Sequence, residues 1–423
     1  MRNLSLLILA ALLAMVLWAA LVFTGARHGW WHADPGPRED VASFFSTSVA
    51  ALDTAGQGAV AFVLIEKGKV FGEHYVSAGT PLSRDTLFQL ASLSKWATAL
   101  GVLKLAADGK LDLDAPVSRY LTRWQLPETE YDADGVTARR LLSHTAGLTD
   151  GLGYMGFEKG TPVQTLEASL TAAADPMPGA DGRTRIGLAP GSAWSYSGGG
   201  YALLQLLIEE TSGEAFGDYM KRVVFDPLGM SHATFDLAAA EAAGLAPCFD
   251  AEGAPCTYRN FAAPSAASLH ASAADLTRFL EAQMEGAGDP ALPPGLAADM
   301  RAPHASQFGL PIWGLGVMLY AEAPGGGYVV GHEGMNFPAI ETTARIDPAT
   351  GDGILVLATG NPGLAATLGG EWVYWHAGQV DVRQIDSMLP AIGLTLLAGW
   401  AVIIALAVLA LRRMRRSKTP AAS

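Results

Sequence analysis

Two uncharged, almost wholly apolar segments constrain this 423-residue chain most: Leu4 to Gly25 near one end and Met388 to Leu411 near the other. Each exceeds the roughly 20 apolar residues needed to cross a bilayer. Arg2 precedes the first, and the second runs into Arg412, Arg413, Arg415, Arg416 and Lys418. The positive-inside rule then places the C-terminal end in the cytoplasm. The first segment is either an uncleaved anchor or a long signal peptide, with Thr24-Gly25-Ala26 as a poor cleavage site. Both alternatives leave the section between the segments on the outer side of the cell (inner) membrane. The chain therefore divides into an N-terminal anchor or signal segment at 1–26, a juxtamembrane linker at 27–44, a periplasmic or extracytoplasmic domain at 45–380, a transmembrane helix at 388–411 and a basic cytoplasmic tail at 412–423.

Charge agrees with a soluble outer domain. All 41 acidic residues lie between the two apolar segments, whereas Arg2 and the five tail cations do not, leaving 22 basic residues and a net charge of −19 in the middle. A surface that tracks phosphates needs the opposite balance, so nucleic acid is excluded as a partner. The two cysteines, Cys248 and Cys256, bracket Phe249-Asp250-Ala251-Glu252-Gly253-Ala254-Pro255, which reads as a tight hairpin with a Glu-Gly turn. Outside the cytoplasm such a pair is expected to oxidise to a local disulfide. His28 and His32 have a spacing that can serve a metal, but they flank Trp30-Trp31 just beyond the first apolar segment, where an interfacial aromatic belt is expected. No other His, Cys or carboxylate cluster has metal-ligand spacing, and neither a metal nor another cofactor is expected.

Within the middle section, Ala59 to Glu66 is a buried-strand pattern, turned by Lys67-Gly68 into a second strand over Val70 to Val76. Helical patterns follow after Ser92, over Thr137 to His144, over Tyr201 to Thr211 with a stop near Gly213, and over Asp275 to Met284. Asp175 to Gly191 and Gly286 to Gly295 are Pro/Gly-rich loops, the first expected at the mouth of a site. Strand texture returns at Gly327 to His332, Ile340 to Ile346 and Gly353 to Thr359. Strands at both ends with helices between predict one antiparallel sheet closed by distant parts of the chain, flanked by helices, with a mainly helical lobe beside it. A ligand cleft is expected between the two. There is no internal repeat.

Leu87-Phe88-Gln89-Leu90-Ala91-Ser92-Leu93-Ser94-Lys95 carries the chemistry. It sets a serine at a strand-to-helix turn with a lysine one helical turn on, so Ser92 and Lys95 point into one space. An amine so placed can activate a hydroxyl, as in the Ser-x-x-Lys acyl-transfer enzymes. Such a hydroxyl also needs a second proton-handling group and an oxyanion hole. Trp194-Ser195-Tyr196-Ser197-Gly198-Gly199-Gly200 offers a tyrosine before glycines that permit close approach. Gly331-His332-Glu333-Gly334-Met335-Asn336 ends a strand whose alternation sets His332 and Gly334 on one face, where a glycine lets substrate lie along the edge.

In this order, the segments resemble the serine-hydrolase family of class C β-lactamases, low-molecular-weight penicillin-binding proteins, D-aminopeptidases and related esterases. The resemblance covers roughly residues 45 to 365. Ser92-Leu93-Ser94-Lys95 matches the family's first motif, and Gly109-Lys110-Leu111-Asp112-Leu113-Asp114 the run after its helix. Leu141-Leu142-Ser143-His144-Thr145-Ala146-Gly147-Leu148 is similar to Leu-Leu-x-His-Thr-Ser-Gly-Leu, with one Ser-to-Ala change. Tyr196-Ser197-Gly198 falls where Tyr-Ser-Asn is usual, and Pro227-Leu228-Gly229-Met230 and Gly331-His332-Glu333-Gly334 fall at further family motifs.

The resemblance implies a β-lactamase/transpeptidase-like fold with Ser92 as the acylated nucleophile. Lys95 and Tyr196 would share the proton work, burial helping the lysine by penalising its ammonium form. It makes the backbone N–H groups of Ser92 and Met335 the oxyanion hole, puts Gly334 and Gly198 at the substrate, and has His332 orient Tyr196 or the substrate. Gly198 lacks the amide that Tyr-Ser-Asn relatives use to hold an acyl-amide group. The expected function is a membrane-anchored serine hydrolase acting on a small molecule or peptide: a D-amino-acid peptide, a β-lactam or an ester. The alternative, favoured by Gly198 alone, is a non-hydrolytic penicillin-binding or cell-wall-peptide sensor.

Overall fold

The computed structural model describes residues 2–416 apart from 34, 35, 39, 56, 152 and 285–291. Among the described residues the ten strands are β1 Ala59–Glu66, β2 Lys69–Ser77, β3 Leu87–Gln89, β4 His270–Ser272, β5 Ala305–Gln307, β6 Leu310–Trp313, β7 Met318–Glu322, β8 Tyr328–Asn336, β9 Ile340–Asp347 and β10 Asp352–Thr359. Eight form one antiparallel sheet in the order β2-β1-β10-β9-β8-β7-β6-β5, and β3 pairs with β4 apart from it. The strand nearest the N-terminus thus lies beside the last one, Ala59 opposite Thr359 through Ile65 opposite Gly353. This is the closure by distant segments that the sequence predicts.

The sheet is covered on both faces, and the two-residue period of its strands shows how. Val60, Phe62 and Leu64 pack with Ile354, Val356 and Ala358 against Phe44 and Leu52 of the Val41–Ala55 helix and Trp372 of the Leu364–Ala377 helix. Ala61, Val63 and Ile65 point the other way, with Leu355 and Leu357, into the core of the helical lobe. The β1–β2 hairpin turns through Lys67 and Gly68, both left-handed (φ 50° and 75°), the backbone of a tight primed turn. In the helical lobe the Ser94–Ala107 helix is buried almost all round and packs against the Gly198–Ser212 helix.

Several boundaries differ from the sequence expectation. The helix expected to start at Tyr201 starts at Gly198, because Ser197 caps it by accepting the Gly200 N–H at 2.8 Å. The helix expected from Asp275 is Ala273–Ala282, begun by a reciprocal Ser272/Asp275 capping box. Of the loop expected at Gly286 to Gly295, residues 286–291 lie outside the described residues, and its end belongs to the Pro294–Arg301 helix. Cys248 and Cys256 are joined in a disulfide, with Cα atoms 5.0 Å apart, in a hairpin turned at Gly253.

The two terminal helices run Arg2–Arg27 and Val382–Arg416, and Leu4–Arg27 and Ser387–Met414 within them are long and apolar enough to cross a membrane. Lys418 of the basic tail lies outside the described residues. The helices pair along their length: the Trp18 indole donates to the Thr395 carbonyl and the Trp400 indole to the Met15 carbonyl, both at 3.1 Å. Gly399 leaves room for the Trp18 ring. Their upper ends are fastened to the sheet domain, with Val380 N–H on the Arg27 carbonyl at 2.8 Å and His32 on Glu371 at 3.0 Å. Much of the segment read as a juxtamembrane linker is therefore packed structure: Phe44 is buried, and the Trp375 indole donates to the Pro37 carbonyl at 2.9 Å. Among the described residues there is no cluster of three or more metal-ligating side chains.

Candidate functional site

The site begins where β3 stops after three residues. Ala91 takes a left-handed conformation (φ 49°), unusual for a residue with a Cβ, which swings the chain from strand into the turn Ala91–Leu93 and then the Ser94–Ala107 helix. Neighbouring segments pin the turn. Leu90 donates its N–H to the Leu269 carbonyl at 2.8 Å and accepts from the Thr342 hydroxyl at 2.7 Å. The Ser94 hydroxyl donates to the Ala91 carbonyl at 2.6 Å and accepts the Leu269 N–H at 2.9 Å.

Ser92 stands on this turn with Lys95 one helical turn behind it. Lys95 Nζ donates to Ser92 Oγ at 3.1 Å and to the Ala266 carbonyl at 2.6 Å, although the residue is 98% buried. Tyr196, 104 residues on, donates its hydroxyl to the same Ser92 Oγ at 3.0 Å. Lys95 Nζ also lies 5.1 Å from the Tyr196 ring centre and 5.4 Å from that of Tyr201. One serine oxygen thus meets an amine and a phenol, the groups needed to carry a proton off it and back.

Strand β8 supplies the opposite wall. Its pairing with β7 stops at Gly331, so Glu333 to Asn336 have a strand partner on the β9 side only and their other edge faces the cleft. Gly334 lies against the turn so closely that a Cβ there would stand 2.5 Å from the Leu90 oxygen and 2.6 Å from the Ser92 nitrogen. This contact is why a glycine is required, and it sets the β8 backbone beside the Ser92 N–H. Asn336 fixes the junction by donating to Gln89 at 3.1 Å and to the Ala267 carbonyl at 3.0 Å. The Met335 side chain projects outward, 64% exposed.

His332 lies behind the strand rather than beside Ser92 Oγ. It is fully buried behind the strand, its ring edge-on to Trp313, and its described hydrogen bond is to the neighbouring Glu333 carbonyl at 2.6 Å. It reaches Tyr196 only through the intervening Trp313 ring. Burial, and then the charge of Lys95, push the imidazole down to about 3, so it is neutral at working pH. A histidine that the sequence reading quoted without assigning a role, His144, packs directly against Tyr196. Its ring lies 4.3 Å from the Tyr196 ring, and its Nδ1 accepts the Ser197 N–H at 3.2 Å. Burial holds His144 well below the usual imidazole range too.

The sequence reading missed Asp150, whose buried carboxylate accepts from the Ser197 hydroxyl and, at 2.7 Å, from the Gly199 N–H. A carboxylate at a helix start complements the dipole and locks the turn that carries Tyr196. Gly198 also differs from expectation: the space for a side chain there is filled. A Cβ would stand 2.5 Å from Gly153 Cα and 3.3 Å from the Tyr154 ring. The chain crosses itself at these two glycines, and Tyr154 takes the place on the cleft wall.

The resulting cleft has a volume of about 310 Å³, with Ser92, Lys95 and Tyr196 at its base, Trp194, Tyr154 and Met177 on one wall and residues 333–336 on the other. Met177 comes from the Pro/Gly-rich excursion expected at a site mouth. A larger cavity of about 640 Å³, beside Met284 and Tyr328, has no serine, cysteine, histidine or carboxylate among the described residues of its lining.

Comparison with known proteins agrees. The "Beta-lactamase" family model matches residues 45–378. Esterase EstB of Burkholderia gladioli is 30% identical over 341 residues, covering 72% of this chain and 76% of that protein. Penicillin-binding protein 4* of Bacillus subtilis is 34% identical over 165 residues, 38% of this chain and 33% of its own length. The chain thus spans about a third of the length of that penicillin-binding relative and three quarters of the esterase. Among solved structures, the octameric penicillin-binding protein homologue from Pyrococcus abyssi superimposes with a TM-score of 0.65 at 24% identity, over 79% of this chain and 77% of that one. With the Ser-x-x-Lys turn, the tyrosine and the glycine-bearing strand around one cleft, and the family model spanning the domain that holds them, the chain belongs to the β-lactamase family of serine hydrolases.

Proposed function

We propose that this protein is a membrane-anchored, extracytoplasmic hydrolase that cleaves an ester or amide through an acyl-enzyme on Ser92. The observation that carries this reading is the convergence of Lys95 Nζ and Tyr196 OH on Ser92 Oγ, at 3.1 and 3.0 Å, at the base of an open cleft. Ser92 Oγ attacks the substrate carbonyl and its proton passes to the Lys95–Tyr196 pair, which carries one proton fewer than an ammonium and a phenol together, so that a Lys95 amine or a Tyr196 phenolate takes it up. The tetrahedral oxyanion is met by the Ser92 and Met335 N–H groups, whose strand and turn the Gly334 contact holds together. Collapse expels the alcohol or amine, which takes the proton back. Water then attacks the acyl-Ser92 ester by the same proton route, releasing the acid.

The backbone crossing at Gly198 and Gly153 removes the amide pocket of Tyr-Ser-Asn relatives and puts the Tyr154 ring there. This favours esters and substrates without an acyl-amide group, and the similarity to an esterase over most of the chain points the same way. The paired apolar helices, the upper ends fastened to the sheet domain, support retention of both as anchors, with the domain outside and the C-terminus inside.

The test is turnover of short-chain nitrophenyl esters, D-aminoacyl amides and a chromogenic cephalosporin by the full chain in vesicles. Ester hydrolysis is expected in the parent, with loss of at least 10³-fold in Ser92→Ala. Undiminished activity in Ser92→Ala would refute the reading. An acyl group trapped on Ser92 without turnover would replace it with a sensor.

A further inference from the structure

The cleft does not end at β8. It continues past Glu333, Ala366 and Arg383 into a second groove of about 410 Å³, whose far side is Ser387 and Met388. Those two residues open the apolar span Ser387–Met414. The cleft therefore has an end next to the membrane-crossing helix, and the same helix contributes a side chain to the cleft itself: Arg383, its second residue.

The charges around Arg383 are arranged unequally. Glu333 bridges two guanidiniums, reaching Arg345 at 3.2 Å and Arg383 at 3.1 Å. Arg345 is 1% exposed, is also paired with the buried Asp381, and lies 3.9 Å over the Tyr320 ring. Arg383 is 47% exposed with no second described carboxylate, and its backbone is fixed by donating to Asp381 at 2.8 Å. Glu333 would keep Arg345 if Arg383 turned to another anion, so releasing Arg383 strands no charge. Of the two cations in the cleft lining, Lys95 is tied to Ser92 and Ala266. Arg383 is left to meet a substrate.

We propose that Arg383 is a specificity-determining residue that receives an anionic group of the substrate, a carboxylate or phosphate, at the end of the cleft beside the membrane-crossing helix. A planar guanidinium suits either anion through paired hydrogen bonds. The substrate class this implies is an acid-bearing ester or amide whose scissile carbonyl lies at Ser92 while its anion lies at Arg383. The inference rests on the Ser92 reading and names its substrate preference.

The test uses the full chain in vesicles of neutral lipid and two esters of equal length, 4-nitrophenyl hemiglutarate, which carries a carboxylate, and 4-nitrophenyl valerate, which does not. The parent is expected to favour the hemiglutarate in kcat/KM by at least about tenfold. In Arg383→Gln that preference is expected to vanish, through KM rather than kcat, and Arg383→Lys is expected to restore part of it. A structural role for Arg383 would slow both esters alike, so an unchanged ratio in Arg383→Gln overturns the proposal, as does a parent that prefers valerate. Ser92→Ala is run beside them: if it still turns over both esters, the Ser92 reading has failed, and that result is distinct from an unchanged ratio with a dead Ser92→Ala.

Discussion

Gly198→Ala adds one methyl group where the chain crosses itself, and the structure sets the size of the effect. The new Cβ would stand 2.5 Å from Gly153 Cα, so the two backbones must separate by about 1 Å to reach an ordinary contact. Neither can give easily. On one side the Gly198–Ser212 helix start is held by Asp150 through Ser197 and Gly199. On the other, Gly153 accepts from the Met177 N–H at 3.1 Å, and Met155 and Gly156 are held to Asp175 at 2.7 and 3.0 Å. Forced overpacking of this kind costs about 1–3 kcal/mol, which for a domain of this size lowers Tm by roughly 2–6 °C. Tyr196 lies two residues upstream, and a shift of about 1 Å in a catalytic group can cost on the order of 100-fold in rate. Gly198→Asn, which restores the family's usual residue, is expected to do worse on both counts, because its amide enters the same filled space. Calorimetry and ester kcat/KM on the full chain measure both effects. A Gly198→Asn protein with parental Tm and a gain in cephalosporin hydrolysis would refute this reasoning, since it would mean the amide pocket is open.

Two further perturbations address the buried charges. Asp381→Ala leaves Arg345, 1% exposed, with Glu333 as its remaining carboxylate partner, and breaking a buried pair this way is expected to cost about 3–5 kcal/mol. Denaturant unfolding reads this directly, and a loss below about 1 kcal/mol would show that the pair adds nothing net. Acid should destabilise the fold through its buried histidines. His332 is pushed down to about 3 and His270 to about 4, both chiefly by burial. Each is neutral when folded but binds a proton below about 6.5 when unfolded, so stability is full above that pH and is lost as pH falls toward the folded values. Each histidine contributes up to about 1.4 kcal/mol per pH unit in that window. His332→Gln and His270→Gln should each flatten the fall of Tm between pH 6.5 and 4.5, and an unaltered slope in both would contradict the assignment.

Local chemistry was readable from the sequence wherever cause and effect lie within a few residues. The Lys67-Gly68 turn, the unbroken apolar run Ala59 to Ile65 and the three-residue spacing of Ser92 and Lys95 each encode a geometry directly, and each geometry is present. The Gly198-Gly199-Gly200 run misled for the opposite reason. The three glycines are expected only to permit close approach, with the helix beginning at Tyr201, yet they open the helix, because the carboxylate that stabilises its first turn comes from Asp150, 49 positions upstream of Gly199. Propensity lost to a tertiary hydrogen bond.

The same distinction separates the parts of the cleft. Side-chain type and spacing placed Ser92, Lys95, Tyr196 and Gly334 as candidates to stand together, but could not show what holds them. His144 reaches Tyr196 by ring contact, and Arg383 reaches the cleft by the entry of a helix that otherwise reads as membrane anchor. A hydropathy pattern assigns that helix to the bilayer and stops there. The continuity of Val382–Arg416 from cleft wall to span carries a different physical consequence. An anchor joined to the domain by a flexible linker could be exchanged without touching the site, whereas this helix contributes a charged wall of it. If the proposed anchoring and the proposed role of Arg383 both hold, the two depend on the same helix, and a change of its register by one residue would swing Arg383 about 100° around the helix axis, away from the cleft.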